Sequence, residues 1–266
     1  MMRRILTLLL APALLYSLAS AQTVDELIAK NNKARGGIEK LKAVKTIKIT
    51  GKFFMQGMEA PAVMMFKRPR MVRSEFTLQG MTAVQAYDGT TAWMIMPFMG
   101  KTDPEKMTAE DANDIEEQSD IDGPLVDYKE KGHKVELTGK EDMEGTPVYK
   151  IKVTLKGGDI RYIFLDGEHF LEVKGTAKRK TQGTEIEIDT YYSDFKAING
   201  VMVPHAIESK VKDQIVSQVT LSKIEMNVEF PDSLFKMPAK AAGSKADSTR
   251  RGGPAKADSK PDSTKK

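Results

Sequence analysis

The side chains that most often perform catalysis or bind metals are few in this chain, and their spacing suits neither role. The three histidines are His133, His169 and His205, there is no cysteine, and no two histidines have the spacing of metal ligands. The sequence contains no nucleophile elbow, phosphate-binding loop or zinc-protease motif. His205 lies among apolar residues of a predicted strand, which favours a half-buried structural histidine. The sequence therefore predicts no catalytic residue, no cofactor, no metal site and no enzyme activity.

An acidic run over residues 111–122 is the other group that could bind a cation. When Gly123 is aligned with the invariant glycine of a calcium-binding loop, Gln118 takes the first position and Lys129 takes the last. Both positions need a carboxylate, so calcium binding is not expected. A solvated helix face is the better interpretation of this run.

Methionine is the residue type with the most unusual distribution. The chain has 16 methionines, and ten of them fall between Met55 and Met107. Methionine is flexible and polarisable, so it suits a surface that must accept varied apolar partners. One interpretation is ordinary core packing, and the other is an adaptable apolar cavity of the kind that a lipid carrier needs. The candidate lipid-binding residues are Phe53, Met55, Met64, Met65, Phe66, Trp93, Met94, Met96 and Phe98.

Amphipathic strands must position these side chains. Apolar and polar residues alternate with a period of two over residues 134–228, and glycine-containing turns separate the runs. Within this pattern Glu172 is expected on the wet face, because both of its neighbours are apolar. Residues 46–96 hold a second set of strands. In the last strand the apolar parity changes, which predicts a β-bulge near Ser222 or Lys223.

Two helical segments accompany the strands. Thr23 and Glu26 have the spacing of a capping box at the start of the first helix, and Thr108 can cap a second helix over residues 109–118. About a dozen strands with short connections predict an antiparallel sheet, which must curl or be covered on its apolar face. The expected fold class is therefore mainly β: a curled antiparallel sheet with short helices that cover its concave apolar face.

The two ends of the chain differ from the middle. Residues 1–21 have a basic start, an apolar stretch and small residues up to Ala21, which predicts a secretory signal peptide cleaved near Ala21. Residues 22–238 are expected to form one domain. Residues 239–266, rich in Lys, Ala, Ser, Asp and Pro, should be disordered and dispensable for folding, either simply solvated or in weak contact with an anionic surface.

The net charge also belongs to the ends. The whole chain carries +4, but residues 239–266 contribute +5 and residues 1–21 contribute +2, so residues 22–238 carry −3. Because the expected domain has no basic surplus, we do not expect nucleic acid as a partner.

Four short motifs resemble those of the periplasmic carriers of outer-membrane lipoproteins, the LolA-like family, and of the broader lipoprotein-sorting group. The resemblance covers roughly residues 24–238, and the motifs follow the order of the family. They are Lys67-Arg68-Pro69-Arg70-Met71, Tyr87-Asp88-Gly89-Thr90-Thr91-Ala92-Trp93, Met96-Pro97-Phe98 and Asn199-Gly200-Val201-Met202-Val203-Pro204. This resemblance implies an open half-barrel of about eleven antiparallel strands with a helical lid.

The resemblance also implies a function. A carrier of this family takes a triacylated lipoprotein from an inner-membrane exporter, shields its acyl chains, and passes it to an outer-membrane receptor; we expect a monomer in the periplasm. In the family a lid-controlling arginine precedes a proline on an early strand, and Arg68 stands at that position. Its guanidinium carries five donors in a fixed fork, which suits backbone carbonyls at a helix end or loop. Arg68 is therefore predicted to be a lid latch.

Other interpretations keep the same cavity. The cargo could be a lipoprotein, a free lipid or another apolar molecule, and a periplasmic protein that senses lipid or a partner, without transport, is the alternative function.

An integral outer-membrane barrel is disfavoured, because one face of the strands regularly carries Lys and Glu and aromatic residues make up only 7% of the chain.

Overall fold

The computed structural model describes residues 22–55, 57–181 and 184–239. The predicted signal peptide and residues 240–266 of the predicted tail lie outside the described residues. The helices are α1 (Val24–Ala34), α2 (Ile38–Ala43) and α3 (Ala109–Gln118). The strands are β1 (Thr46–Met55), β2 (Met58–Lys67), β3 (Met71–Leu78), β4 (Met81–Tyr87), β5 (Ala92–Met96), β6 (Lys101–Lys106), β7 (Lys134–Met143), β8 (Thr146–Thr154), β9 (Ile160–Asp166), β10 (Glu172–Thr181), β11 (Thr184–Ile198), β12 (Val201–Val211) and β13 (Gln214–Met226).

The strands of the described residues form one antiparallel sheet in the order β6-β5-β4-β3-β2-β1-β13-β12-β11-β10-β9-β8-β7. Its two ends, β6 and β7, do not pair with each other, so the sheet is open. The predicted mainly β fold with an unclosed antiparallel sheet is therefore confirmed. The described sheet has 13 strands, more than the resemblance implies, partly because the polar run of β6 forms an edge strand without apolar alternation.

A β-bulge lies in the pairing of β1 with β13, where the two halves of the sheet meet. Thr50 of β1 lies opposite Lys223 of β13, and the next residue, Gly51, lies opposite Leu221, so Ser222 is the extra residue. This confirms the bulge predicted from the change of parity. A Cβ atom on Gly51 would stand 2.2 Å from the carbonyl oxygen of Thr220, so only glycine permits this close approach of the strands.

The helices cover one face of the sheet, which we call the inner face. Leu27 and Ile28 of α1 pack on Ile151 and Leu165 of β8 and β9. The predicted capping box starts this helix: the Thr23 hydroxyl accepts from the Glu26 amide at 3.2 Å, and the Glu26 carboxylate accepts from the Thr23 amide at 2.9 Å. Apolar burial thus orients α1, while the cap satisfies two of its unpaired N–H groups.

The other two helices cover two other parts of the inner face. Leu41 of α2 packs with Val126 and with Val201 of β12. On the opposite half of the sheet, Ile115 of α3 packs on Val72 of β3 and on its neighbours in β4 and β5. No helix in the described part of the chain combines the length and apolarity needed to cross a bilayer.

Residues 228–237, which we call the C-terminal segment, cover part of the other face of the sheet, the outer face. Phe230 and Phe235 pack on Met65 of β2, and Met237 packs near Trp93 of β5. The helices thus cover the inner face of the sheet, and the C-terminal segment covers the outer face over the first strands.

Candidate functional site

A cavity of about 390 Å³ lies between the inner face and the elements that cover it. Its roof is formed by α1, by the end of α2 and by residues 120–125, which follow α3. Its floor is mostly apolar and includes Ile47, Ile49, Phe66, Val203, Ile207 and Met226. A half-open space with an apolar floor is suited to an apolar ligand or part of one.

Arg68, immediately after β2, connects the sheet to this roof. Its Nε donates to the Val44 carbonyl at 2.7 Å, and its Nη2 donates to the Leu41 carbonyl at 3.1 Å. Both carbonyls lie at the C-terminal end of α2, where a cation is favoured by the helix dipole. The Leu41 carbonyl also accepts from the Val44 amide at 3.2 Å. The contacts are those expected from the sequence: a guanidinium fork on the carbonyls of a helix end.

The same guanidinium forms a bidentate ion pair with Asp122. Nη1 and Nη2 of Arg68 lie 2.7 and 2.6 Å from the two carboxylate oxygens. The Asp122 side chain is 8% exposed and the Arg68 side chain is 23% exposed. Burial alone would raise the pKa of Asp122, but the hydrogen bonds and charge of Arg68 outweigh it and hold that pKa below its usual range. The pair is therefore ionised at neutral pH and ties β2 to the roof loop.

Asp122 belongs to the acidic run over residues 111–122, whose spacing does not fit a calcium loop. In the structure the run supplies ion-pair partners: besides Asp122, Asp120 accepts from Lys131 at 2.5 Å. Lys131 also donates to the Gly123 carbonyl at 2.7 Å. These contacts hold the loop over the cavity from two sides.

Helix α3 bridges the two halves of the inner face. Its apolar side packs on β3 to β5, while Glu117 pairs with Arg161 of β9 and Asp114 pairs with Arg179 of β10, the latter at 2.9 Å. Because β3 and β10 are far apart in the sheet order, the helix acts as a strap across the opening. The predicted cap is present, since the Thr108 hydroxyl accepts from the Asp111 amide at 3.1 Å.

Most of the predicted lipid-binding residues lie on the inner face. Phe66 lines the cavity itself. Phe53 and Phe98 are joined through Phe76 into a row of rings, with centroids 5.7 and 5.6 Å apart. Strand pairing and alternation place the remaining members on the same face: Met55, Met64, Met94 and Met96. The structure thus gathers seven of the nine residues on one face of the sheet, with six of them lying outside the cavity lining.

Met65 and Trp93 lie on the outer face, so their assignment to the cavity is corrected. Met65 follows Met64 directly in β2, and consecutive side chains in a strand point to opposite faces of the sheet. It packs under Phe230 and Phe235. Trp93 is fully buried, and its Nε1 donates to the Phe235 carbonyl at 2.7 Å. Both residues therefore hold the C-terminal segment.

Three polar side chains at one end of the cavity were missed by the sequence reasoning: Arg35, Glu172 and Tyr192. Glu172 was expected on the wet face. A register shift after Glu172, which leaves Val173 without a partner in β9, breaks the simple alternation and turns the carboxyl toward the cavity. Burial raises the pKa of Glu172 to about 7, although the charge of Arg35 acts in the opposite direction. No local sequence signal marks this bulge.

His205 is structural, as expected. Its side chain is buried, and its Nδ1 lies 3.1 Å from the Val203 carbonyl oxygen. The ring thus has a hydrogen-bond partner within its own strand.

Several solved structures have a fold similar to that of this chain. The chain superposes on a DUF1329 family protein from Desulfovibrio piger with a TM-score of 0.57 at 12% identity, covering 81% of this chain and 98% of that one. A LolA superfamily protein from Nitrosomonas europaea gives a TM-score of 0.52 at 14% identity, covering 80% and 97%. A putative outer membrane lipoprotein-sorting protein domain from Vibrio parahaemolyticus gives 0.52 at 9% identity, covering 78% and 97%.

The sequence comparisons find less. No protein-family model matches the chain, and no curated protein matches it. At these identities the likeness to the solved structures concerns the fold. The chain therefore has a LolA-like fold, as its sequence motifs indicated.

Proposed function

We propose that the protein is a periplasmic lipid carrier that holds acyl chains against the inner face of its sheet for delivery to the outer membrane. The observation that carries the proposal is the apolar cavity whose roof is tied to β2 by Arg68. The LolA-like fold, shared with a lipoprotein-sorting protein domain, supports it. The cargo is the acyl part of a lipoprotein or another lipid, received from an inner-membrane exporter and passed to an outer-membrane receptor by the monomer.

The inner face can supply the necessary free energy. Burying one methylene group is worth about 0.8 kcal/mol, so a sixteen-carbon chain gains on the order of 10 kcal/mol before the costs of binding are subtracted. The cavity, at about 390 Å³, is near the lower end of the usual range of ligand sites. A triacylated cargo therefore requires the roof to move outward, and Phe53, Met55, Met64, Met94, Met96 and Phe98 extend the apolar surface in that direction.

Arg68 is the proposed latch for that movement. A roof held only by apolar contacts would compete directly with the acyl chains for the same surface. The ion pair with Asp122 and the two bonds to α2 hold the roof through polar groups at the rim. They can break on loading without exposing further apolar area, and their return favours release of the cargo.

Lipid extraction and mass spectrometry of the protein purified from its native envelope test the proposal. We expect acyl chains bound in a fixed ratio to the protein, and less of them in a variant with Phe66→Asp in the cavity floor. A wild-type protein that contains no lipid, purified without detergent, would contradict transport and favour the sensing alternative. The Phe66→Asp variant is compared at equal folded fraction, which circular dichroism measures.

A further inference from the structure

Arg35, Glu172 and Tyr192 are three polar side chains of the cavity lining, and none of them forms a hydrogen bond with Arg68. Arg35 caps the C-terminus of α1, while Glu172 begins β10 and Tyr192 lies in β11. All three line the cavity. Arg35 and Glu172 are half-buried, and a carrier that needed only an apolar space would gain nothing from removing two charged groups even partly from water, because this costs free energy.

The geometry shows that these groups face one space. A Cβ atom on Gly175 would stand 3.3 Å from Oε1 of Glu172 and 3.8 Å from the hydroxyl of Tyr192. Glycine at this position of β10 therefore keeps room beside both groups. Arg35 uses Nη1 to donate to the Asp122 carbonyl at 2.9 Å, which occupies one of its five N–H donors.

The charges around this end of the cavity do not balance when Glu172 is protonated. Arg35, Arg68 and Lys131 are positive, whereas Asp120 and Asp122 are negative and are paired with Lys131 and Arg68. Burial raises the pKa of Glu172 to about 7, so near neutral pH this carboxyl is protonated in about half of the molecules. Arg35 then lacks a carboxylate partner of its own among the described residues.

The hydroxyl of Tyr192, the third polar group, stays protonated. Burial, and next the charge of Glu172, raise the pKa of the Tyr192 hydroxyl. The polar end therefore offers a guanidinium, a phenol and, in its protonated form, a carboxylic acid. All three can donate hydrogen bonds to an anionic oxygen, and a guanidinium fork matches the geometry of a carboxylate.

We propose that Arg35, Glu172 and Tyr192 form a binding site for the carboxylate of a free fatty acid, whose chain lies along the apolar floor of the cavity. This inference rests on the proposed lipid-binding function and adds to its acylated cargo a second ligand, a single free fatty acid held under the closed roof. A cavity of about 390 Å³ suits one chain better than three. An esterified or amide-linked acyl chain of a lipoprotein has no carboxylate for Arg35, so the site discriminates between the two kinds of lipid.

Binding of cis-parinaric acid and of its methyl ester, followed by fluorescence below their aggregation concentrations, tests the inference on the full mature chain. The two probes differ only in the carboxylate. We expect the acid to bind at least about tenfold more tightly at pH 7, which corresponds to about 1.4 kcal/mol. Arg35→Gln should remove this preference, because it weakens binding of the acid much more than binding of the ester. The matched control is Arg73→Gln on the outer face, which should retain the preference.

The pH profile gives a second readout. Affinity for the acid should fall as the pH rises from 6 to 8.5, because ionised Glu172 repels the ligand, whereas Glu172→Gln should flatten the profile. If Arg35→Gln does not fold, Tyr192→Phe serves instead, with a smaller loss for the acid alone. Equal binding of acid and ester by the wild type, or an equal loss of both in a folded Arg35 variant, would overturn the carboxylate site while leaving lipid binding intact. Failure of both probes to bind would overturn this inference together with the proposed function.

Discussion

Replacement of Arg68 by leucine tests the polar closure of the cavity, because its cost can be worked out from the contacts. The substitution removes two hydrogen bonds to α2 and both bonds to Asp122. Removing one partner of a fully buried ion pair costs about 3–5 kcal/mol. Since the Arg68 side chain is 23% exposed, and Asp122 can take up a proton, we expect a smaller loss of about 2–3 kcal/mol in the free energy of unfolding.

The loss should depend on pH in a defined direction. The pKa of Asp122 is lowered in the folded protein, so the ion pair stabilises the fold above the unfolded-state pKa of an aspartate and is lost as the pH falls through the folded-state value. The difference between wild type and Arg68→Leu should therefore be full at pH 7 and should shrink below about pH 4.

The assay is thermal unfolding at pH 7 and at about pH 2.5, below the ordinary pKa of an aspartate, with Arg70→Leu as the matched control. Arg70 pairs with Glu116 at 3.3 Å, but both side chains are more than 40% exposed, so its loss should cost less than about 1 kcal/mol. For a domain of this size 1 kcal/mol shifts the Tm by about 2–4 °C, so Arg68→Leu should lower it by about 4–12 °C. Equal shifts for both variants, or a shift in Arg68→Leu that does not change with pH, would refute the reasoning.

Three further predictions concern the faces of the sheet, the tail and the buried carboxyl. Met64→Gln on the inner face should weaken binding of a fluorescent acyl probe, whereas Met65→Gln on the outer face should lower the Tm and leave the probe affinity of the folded protein unchanged; the opposite pattern would reverse the assignment of the faces. Deleting residues 239–266 should change the Tm by no more than about 2 °C, and a larger drop in a melting experiment would show that they contribute to the stability of the domain. Because the pKa of Glu172 is raised to about 7 from an ordinary 4.5, its ionisation opposes folding increasingly from pH 4.5 upward. Glu172→Gln should therefore stabilise the protein by up to about 3 kcal/mol above pH 7 and by little near pH 4, and denaturant unfolding that shows no such rise would contradict the buried position.

Much of the fold could be predicted from local patterns. Alternation with a period of two and glycine turns are properties of consecutive residues, so most strands were visible without any tertiary information. The bulge at Ser222 could be predicted for the same reason, since it changes the parity of apolar residues within one strand. The capping box of α1 and the N-cap of α3 each depend on residues three positions apart and were equally predictable.

The site was harder to predict because it depends on faces and on distant partners. The helix-end carbonyls that accept hydrogen bonds from Arg68 could be expected. Its carboxylate partner Asp122, however, is 54 residues away in the sequence, and only the folded chain brings the two side chains together. Met65 and Trp93 were assigned to the cavity because the methionine-rich segment was treated as one unit, although alternation divides it between two faces. The C-terminal segment covers the outer face at both residues.

Glu172 shows the limit of a pattern most clearly. Its sequence context is that of a solvent-facing strand position, and a single unpaired residue at Val173 reverses that expectation. Irregularities of this kind depend on how two strands meet, not on the residues of one strand. The polar end of the cavity could therefore be found only in the folded structure.

Transfer of a fluorescently labelled triacylated lipoprotein from the purified protein to acceptor vesicles tests the central claim most directly. The protein is loaded, freed of excess cargo and mixed with outer-membrane vesicles, and the label that moves to the vesicles is measured over time. The account predicts that the wild type loads and transfers its cargo, and that Arg68→Leu loads normally but releases it several-fold more slowly, with Arg70→Leu behaving as the wild type. A wild type that takes up no cargo would contradict the carrier, and normal release by a fully loaded Arg68→Leu variant would contradict the latch.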